Sequence, residues 1–129
     1  MRVLVMVKAN KDSEAGIRPK QKLLAEMTKF NEELVKAGVL LAAEGLQPSS
    51  KGKRVRFSGQ KRRVIDGPFT ETKELVGGYS VYEVKAKQEA IEWTYRFMQL
   101  FAEHWQTGEC EAEIRQILVA PEFNVNQGV

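Results

Sequence analysis

The sequence predicts an α+β fold: one antiparallel sheet with two long helices on the same face. Three observations carry that prediction. Residues 19–37 and 88–103 place apolar side chains at helical spacing, most other stretches run or alternate apolar as strands do, and the elements follow the order β-α-β-hairpin-β-α-β. A βαββαβ order returns both helices to one side of the sheet.

The first strand is predicted at Val3–Val7, a continuous apolar run between Arg2 and Lys8 that reads as buried on both faces. Residues 9–18, ANKDSEAGIR, read as a polar loop. Pro19 suits a first helical turn, where its missing N–H costs nothing. Leu23, Met27, Phe30 and Leu34 follow at helical spacing, Leu24 and Val35 widen the stripe, and Gly38 is the expected stop. Val39–Leu46 is strand-like. Lys53–Phe57 and Arg62–Ile65, joined by Ser58-Gly59-Gln60-Lys61, make a hairpin. Tyr79–Val84 is a strand rich in aromatic and β-branched residues. The second helix, Gln88 to Glu103, turns Trp93, Phe97, Leu100 and Phe101 inward with Ala90 and Met98 on the flanks, and starts without a capping Ser, Thr, Asp or Asn. Gly108 closes the next turn, and alternation from Ala112 to Val119 gives the last strand. Residues 1–120 are read as a single domain and 121–129 as a polar tail.

At 129 residues the chain has room for one hydrophobic core. Its strands carry apolar residues on both sides, yet the helices cover only one, so a second copy packed sheet to sheet is the expected cover. No run of about 18 apolar residues is present to span a membrane, and the apolar start is too short for a secretory leader. One cysteine, Cys110, excludes an internal disulfide framework and fits a reducing cytoplasm. The net charge of +3 is uneven. Lys51, Lys53, Arg54, Arg56, Lys61, Arg62 and Arg63 place seven cations between 51 and 63 with no acid among them, and the remainder is slightly acidic.

Residues 64–78, VIDGPFTETKELVGG, stand apart from this pattern. Two readings stand side by side. In one, Asp66-Gly67-Pro68 is a strand-end turn with Asp66 capping its own backbone and Phe69 plugging the corner. In the other, Asp66 is a half-buried acid able to act in proton transfer. Glu71, Lys73 and Glu74 then lie over a pocket mouth at the sheet edge, and Gly77-Gly78 lets backbone approach closely. Lys73 or Lys22 would assist electrostatically, and Phe69 and Tyr79 would shape the pocket. His104 falls on the apolar helical face as the sole imidazole and is a secondary candidate beside Trp105.

The string VIDGPFTETKELVGGY resembles the DGPF signature of the YCII-related family. Lys36 to Leu41, Glu44 to Ser49, Gly78-Tyr79, Glu89 to Glu92, Glu103 to Trp105 and Glu113 to Gln116 are similar to further blocks of that family, so the resemblance runs over residues 1–120. It implies a ferredoxin-like α+β module that dimerises into an α/β barrel. In relatives a His–Asp pair lines a pocket between sheet and helices. Asp66 carries over as the pocket acid, whereas the position matching the histidine is Lys22, so the dyad does not carry over. Some relatives are linked to extracytoplasmic-function sigma factors and bear the label transcription initiation protein, which implies a second role as an interaction module.

The expected function is therefore a small homodimeric binder, or an enzyme working without metal or organic cofactor, with its pocket around the DGPF motif. One histidine, one cysteine and acids without ligand spacing do not make a metal site. Cys110 stands just before the last strand between Glu109 and Glu111, a poor setting for a nucleophile. Nucleic acid or an acidic protein is the alternative partner, met by the basic hairpin 51–63. Against it, the patch lacks stacking aromatics on its basic face, because alternation puts Phe57 on the other, and charged edges also guard sheets against aggregation.

Overall fold

A computed structural model describes residues 1–105 and 109–119, apart from the side chain of Lys73. The fold is α+β. Strands β1 (Arg2–Lys8), β2 (Leu40–Gly45), β5 (Val76–Glu83) and β6 (Ala112–Gln116) form one sheet in the order β2-β5-β1-β6. Every neighbouring pair is antiparallel. Helices α2 (Gln21–Lys36) and α3 (Lys87–His104) pack on one face, and a short helix α1 (Lys11–Glu14) follows β1. Strands β3 (Lys53–Ser58) and β4 (Lys61–Asp66) make a separate two-stranded hairpin.

The core lies between the sheet and the two long helices. Val3 and Val5 of β1, Tyr82 of β5 and Val84 meet Phe30 and Leu34 of α2 and Ala90 and Phe97 of α3. Tyr82, Leu23, Leu34, Val3 and Val5 are the largest side chains buried outright. Such sites lose about 2–5 kcal/mol when a large aliphatic is cut to alanine. Burial alternates along β1, because helices cover one face alone. Within one chain Val3 and Val5 are buried while Leu4 and Met6 are half-exposed. On the same open face Tyr79 and Val81 of β5 alternate with buried Ser80 and Tyr82.

Helix α2 buries Leu23, Phe30 and Leu34 and ends where Gly38 takes φ +73°. Leu24 and Val35 do not widen its buried stripe; they are 46% and 60% exposed. Helix α3 starts, as expected, without a side-chain cap, and the Glu89 carboxylate accepts from the Lys85 N–H at 2.9 Å instead. Its aromatic residues recur every fourth position and stack in a ladder. Phe30 meets Trp93 at 6.0 Å and Phe97 at 5.8 Å, Phe97 meets Phe101 at 5.2 Å, and Phe101 meets Trp105 at 6.0 Å. Arg96 bridges the helices outside this ladder, with its guanidinium 2.7 Å from Glu33 and 5.0 Å from the Trp93 ring centre.

Four local expectations change. The polar stretch 9–18 holds α1, started by a reciprocal cap: the Asn10 side chain accepts from Ser13 N–H at 2.8 Å and Ser13 Oγ from Asn10 N–H at 2.9 Å. Gly77 and Gly78 lie inside β5 rather than before it. A Cβ on Gly77 would stand 3.3 Å from Ala9 Cα, and one on Gly78 3.1 Å from the Glu44 carbonyl oxygen, so the glycines let neighbouring strands close in. The hairpin turns tightly on Gly59-Gln60, with Ser58 paired to Lys61. Strand β6 stops at Gln116 instead of Val119. Gly108 and the tail from 120 on lie outside the described residues.

Candidate functional site

The DGPF residues stand where β4 leaves the foot of the hairpin. There the Gly67 N–H donates to the Gly52 carbonyl at 2.9 Å, and Gly52 N–H donates to the Ser49 carbonyl at 2.8 Å. A hydroxyl relay extends from this foot to α1. Phe69 N–H donates to Ser49 Oγ at 3.0 Å, Ser49 Oγ donates to one Glu14 oxygen, and Ser49 N–H donates to the other at 2.8 Å. Gly67 admits no side chain here: an added Cβ would overlap the Ser49 carbonyl oxygen and sit 2.7 Å from its carbon. The Gly67-Pro68 peptide is cis. Phe69 lies half-buried under the Arg54 guanidinium, 3.9 Å from its ring centre.

Beyond Phe69 the chain walls an open cleft of about 1070 Å³. Three segments line it: Lys8 to Asp12 at the end of β1, Thr70 to Thr72 with Glu74, and Glu109 to Glu111 before β6. Strand order explains their meeting, because β1 pairs with both β5 and β6, and the approaches to those strands lie at the end where β1 finishes. Lys8 N–H donates to the Glu111 carbonyl at 2.9 Å and Ala9 N–H to the Leu75 carbonyl at 2.8 Å, which ties the three walls together.

Among the described residues the lining is acidic. Asp12, Glu71, Glu74, Glu109 and Glu111 face Lys8 and Lys11, and Lys8 is already engaged with Glu113 at 3.3 Å. Asp12 is half-buried, and the Trp105 indole donates to its Oδ2 at 3.3 Å, so the aromatic ladder of α3 ends on a cleft carboxylate. The Thr70 hydroxyl, 3.0 Å away, holds the Glu71 carboxyl below its usual value, helped by a backbone N–H and by the charge of Arg54. Lys8, then Arg115, hold Glu113 low in the same way. Among the described residues, no three His, Cys, Asp or Glu side chains converge as a metal ion would need.

A profile of the YCII-related domain matches residues 1–107. The chain belongs to the YCII-related family. Among relatives of this YCII-related chain, an uncharacterized protein of Rhizobium meliloti is 28% identical over 72 residues, which span 56% of this chain and 58% of that protein. A solved structure of 5-chloro-2-hydroxyhydroquinone dehydrochlorinase from Burkholderia phenoliruptrix, in complex with 2,5-dihydroxybenzoquinone, shares the fold at a TM-score of 0.50 and 13% identity. That match covers 94% of this chain and 98% of the other.

The YCII-related chain brings some of the expected site residues together and separates others. Glu71 and Glu74 line the cleft, whereas the side chain of Lys73 lies outside the described set. Asp66 is not half-buried. Its side chain is 73% exposed and meets Lys53 Nζ at 2.6 Å, since the tight turn pairs these two residues directly across the hairpin. Gly67 and Phe69 belong to the hairpin foot and Pro68 is exposed beside them. Tyr79 stands on the open sheet face, paired with Met6 and Glu44. Lys22 is exposed in the first turn of α2. His104 ends α3 with 19% of its side chain exposed and Nε2 3.9 Å from Glu103. Neither Lys22 nor His104 lines the cleft. Sequence reasoning missed Asn10, Asp12 and the end of β1 as lining, although Asn10-x-x-Ser13 is a legible helix-start signal.

Proposed function

We propose that this YCII-related protein binds a small molecule in the cleft at the end of β1, and that chemistry there is proton transfer by cleft carboxylates. The observation that carries this reading is the cleft itself, which is large enough for a small organic ligand and is walled directly after the DGPF foot. Its excess of carboxylates favours a cation or a neutral ligand rich in O–H or N–H donors. Asp12 is the acid or base of this reading rather than Asp66, because it lies in the cleft and is oriented by the Trp105 indole. The dehydrochlorinase of like fold holds a small oxygenated ring, which adds support for ligand binding on this scaffold.

The working unit in this proposal is a homodimer of ferredoxin-like modules closed sheet to sheet. Two features support it: the order β2-β5-β1-β6 with antiparallel neighbours throughout, and the half-exposed Leu4, Met6, Tyr79 and Val81 opposite the helices.

The test is a titration of isotopically labelled protein with putrescine, a dication, and hydroquinone, a neutral O–H donor. A ligand reaching Asp12 shifts the Trp105 indole N–H resonance and leaves that of Trp93, in the aromatic ladder, in place. Movement of neither indole with either probe, or equal movement of both, would sink the cleft reading.

A further inference from the structure

A second surface, independent of the cleft, carries an inference of its own. The β3–β4 hairpin hydrogen-bonds to no strand of the main sheet, and a lone two-stranded ribbon is marginal in water. Its cross-strand pairs sort its side chains onto two faces. Arg54, Arg56, Lys61, Arg63 and Ile65 share one; Lys53, Val55, Phe57, Arg62, Val64 and Asp66 share the other. All four cations of the first face are exposed, and no acid sits among them. Arg56 is paired directly opposite Arg63, an arrangement that repels. The one acid of the hairpin, Asp66, is on the opposite face and engaged by Lys53.

A few scattered cations are enough to guard a ribbon edge against aggregation. Instead this face keeps like charges opposed, and three of its four cations are arginines, whose planar forks suit phosphate. We propose that the basic face of the β3–β4 hairpin is a docking surface for duplex DNA, laid against the phosphate rows of the major groove. The groove is about 12 Å wide and admits a two-stranded ribbon, and the row of phosphates relieves the Arg56–Arg63 repulsion. Arg54, stacked on Phe69, fixes the ribbon to the body through the DGPF foot.

The experiment is fluorescence anisotropy of a labelled mixed-sequence duplex of about 20 base pairs, titrated with the full chain between about 50 and 200 mM salt. With Arg54 held on Phe69, three phosphate contacts per hairpin, from Arg56, Lys61 and Arg63, give a log–log salt slope of about −3. The double variant Arg56→Gln, Arg63→Gln removes two of them, so its slope falls by about 2 and its affinity by tenfold or more at the lower salt. Its thermal midpoint equals or exceeds that of the parent, because the opposed charges are gone; this separates lost binding from lost folding. Three results would overturn the proposal: no binding at the lower salt, an unchanged slope in the double variant, or polyglutamate competing as well as unlabelled duplex. Tighter binding of a single strand than of the duplex would overturn the groove placement as well.

Discussion

Replacing Gly67 with alanine is the sharpest test of the hairpin foot. Its φ lies outside the left-handed region, so backbone conformation does not forbid the change; the obstacle is the Ser49 carbonyl, which the new Cβ would overlap. That carbonyl cannot retreat alone, because it accepts from Gly52 N–H at 2.8 Å, while the same residue holds Phe69 N–H at 3.0 Å and Glu14 at 2.8 Å. Loss of two or three such bonds at about 0.5–1.5 kcal/mol each amounts to about 1–4.5 kcal/mol. The stiffer alanine returns about 0.4–1 kcal/mol through the unfolded chain. The expected net loss is about 2 kcal/mol, read from the urea midpoint, with faster amide exchange at Gly67 and Phe69. Gly45→Ala is the control, since nothing lies within 4 Å of its added Cβ. If Gly67→Ala matched the control in both midpoint and exchange, the account of the foot as a close-packed junction would be wrong.

Other outcomes follow from the same geometry. Asp66→Asn breaks an exposed ion pair and should lower stability by no more than about 1 kcal/mol, read from the denaturation midpoint; a larger loss would mean that Asp66 does more than meet Lys53. Burial pushes the Tyr82 phenol from 10.0 up to about 12, so the unfolded chain ionises first. Stability then falls between those pH values by about 2–3 kcal/mol. Tyr82→Phe should abolish that alkaline decline, and its persistence would locate the cause elsewhere. Glu113 is held below its usual 4.5 by Lys8 and Arg115, so it stabilises the fold above that pH and ceases to as pH falls through its lowered value. The stability gap to Glu113→Gln should therefore narrow on acidification below 4.5, and a constant gap refutes the assignment. Leu4→Glu places a charge on the open sheet face and should give monomers of native circular dichroism in sedimentation equilibrium. A parent that sediments as a monomer at every concentration removes the dimer proposal.

Much of the fold was legible because long periodic stretches dominate it. The stripe Leu23, Phe30, Leu34 and the inward Phe97 are buried as their spacing demands, and Ala90, read as a flank, is buried outright. Short-range chemistry was harder to read. Four residues of α1 carry no apolar period and depend on one reciprocal cap between Asn10 and Ser13. Gly77-Gly78 gave a turn signal in one dimension, but its cause is contact with Ala9 and Glu44, distant in sequence. The exposure of Asp66 was within reach: a turn at Gly59-Gln60 fixes the pairing that sets it against Lys53. The cleft was not, since its lining comes from segments about sixty and forty residues apart, joined only by strand order.

The single hydrogen bond from Gly67 to Gly52 has a consequence for how such a chain can change. The two ends of the hairpin meet there, so everything from 53 to 66 is an insert with coincident endpoints, mounted on a body whose sheet closes without it. Length, charge and composition of the insert beyond Arg54 are free to vary while the body stays constant, provided the glycine at its exit and the arginine over Phe69 are kept. The same pair of positions is a natural graft point, where a foreign ribbon that keeps an arginine over Phe69 could be exchanged for this one.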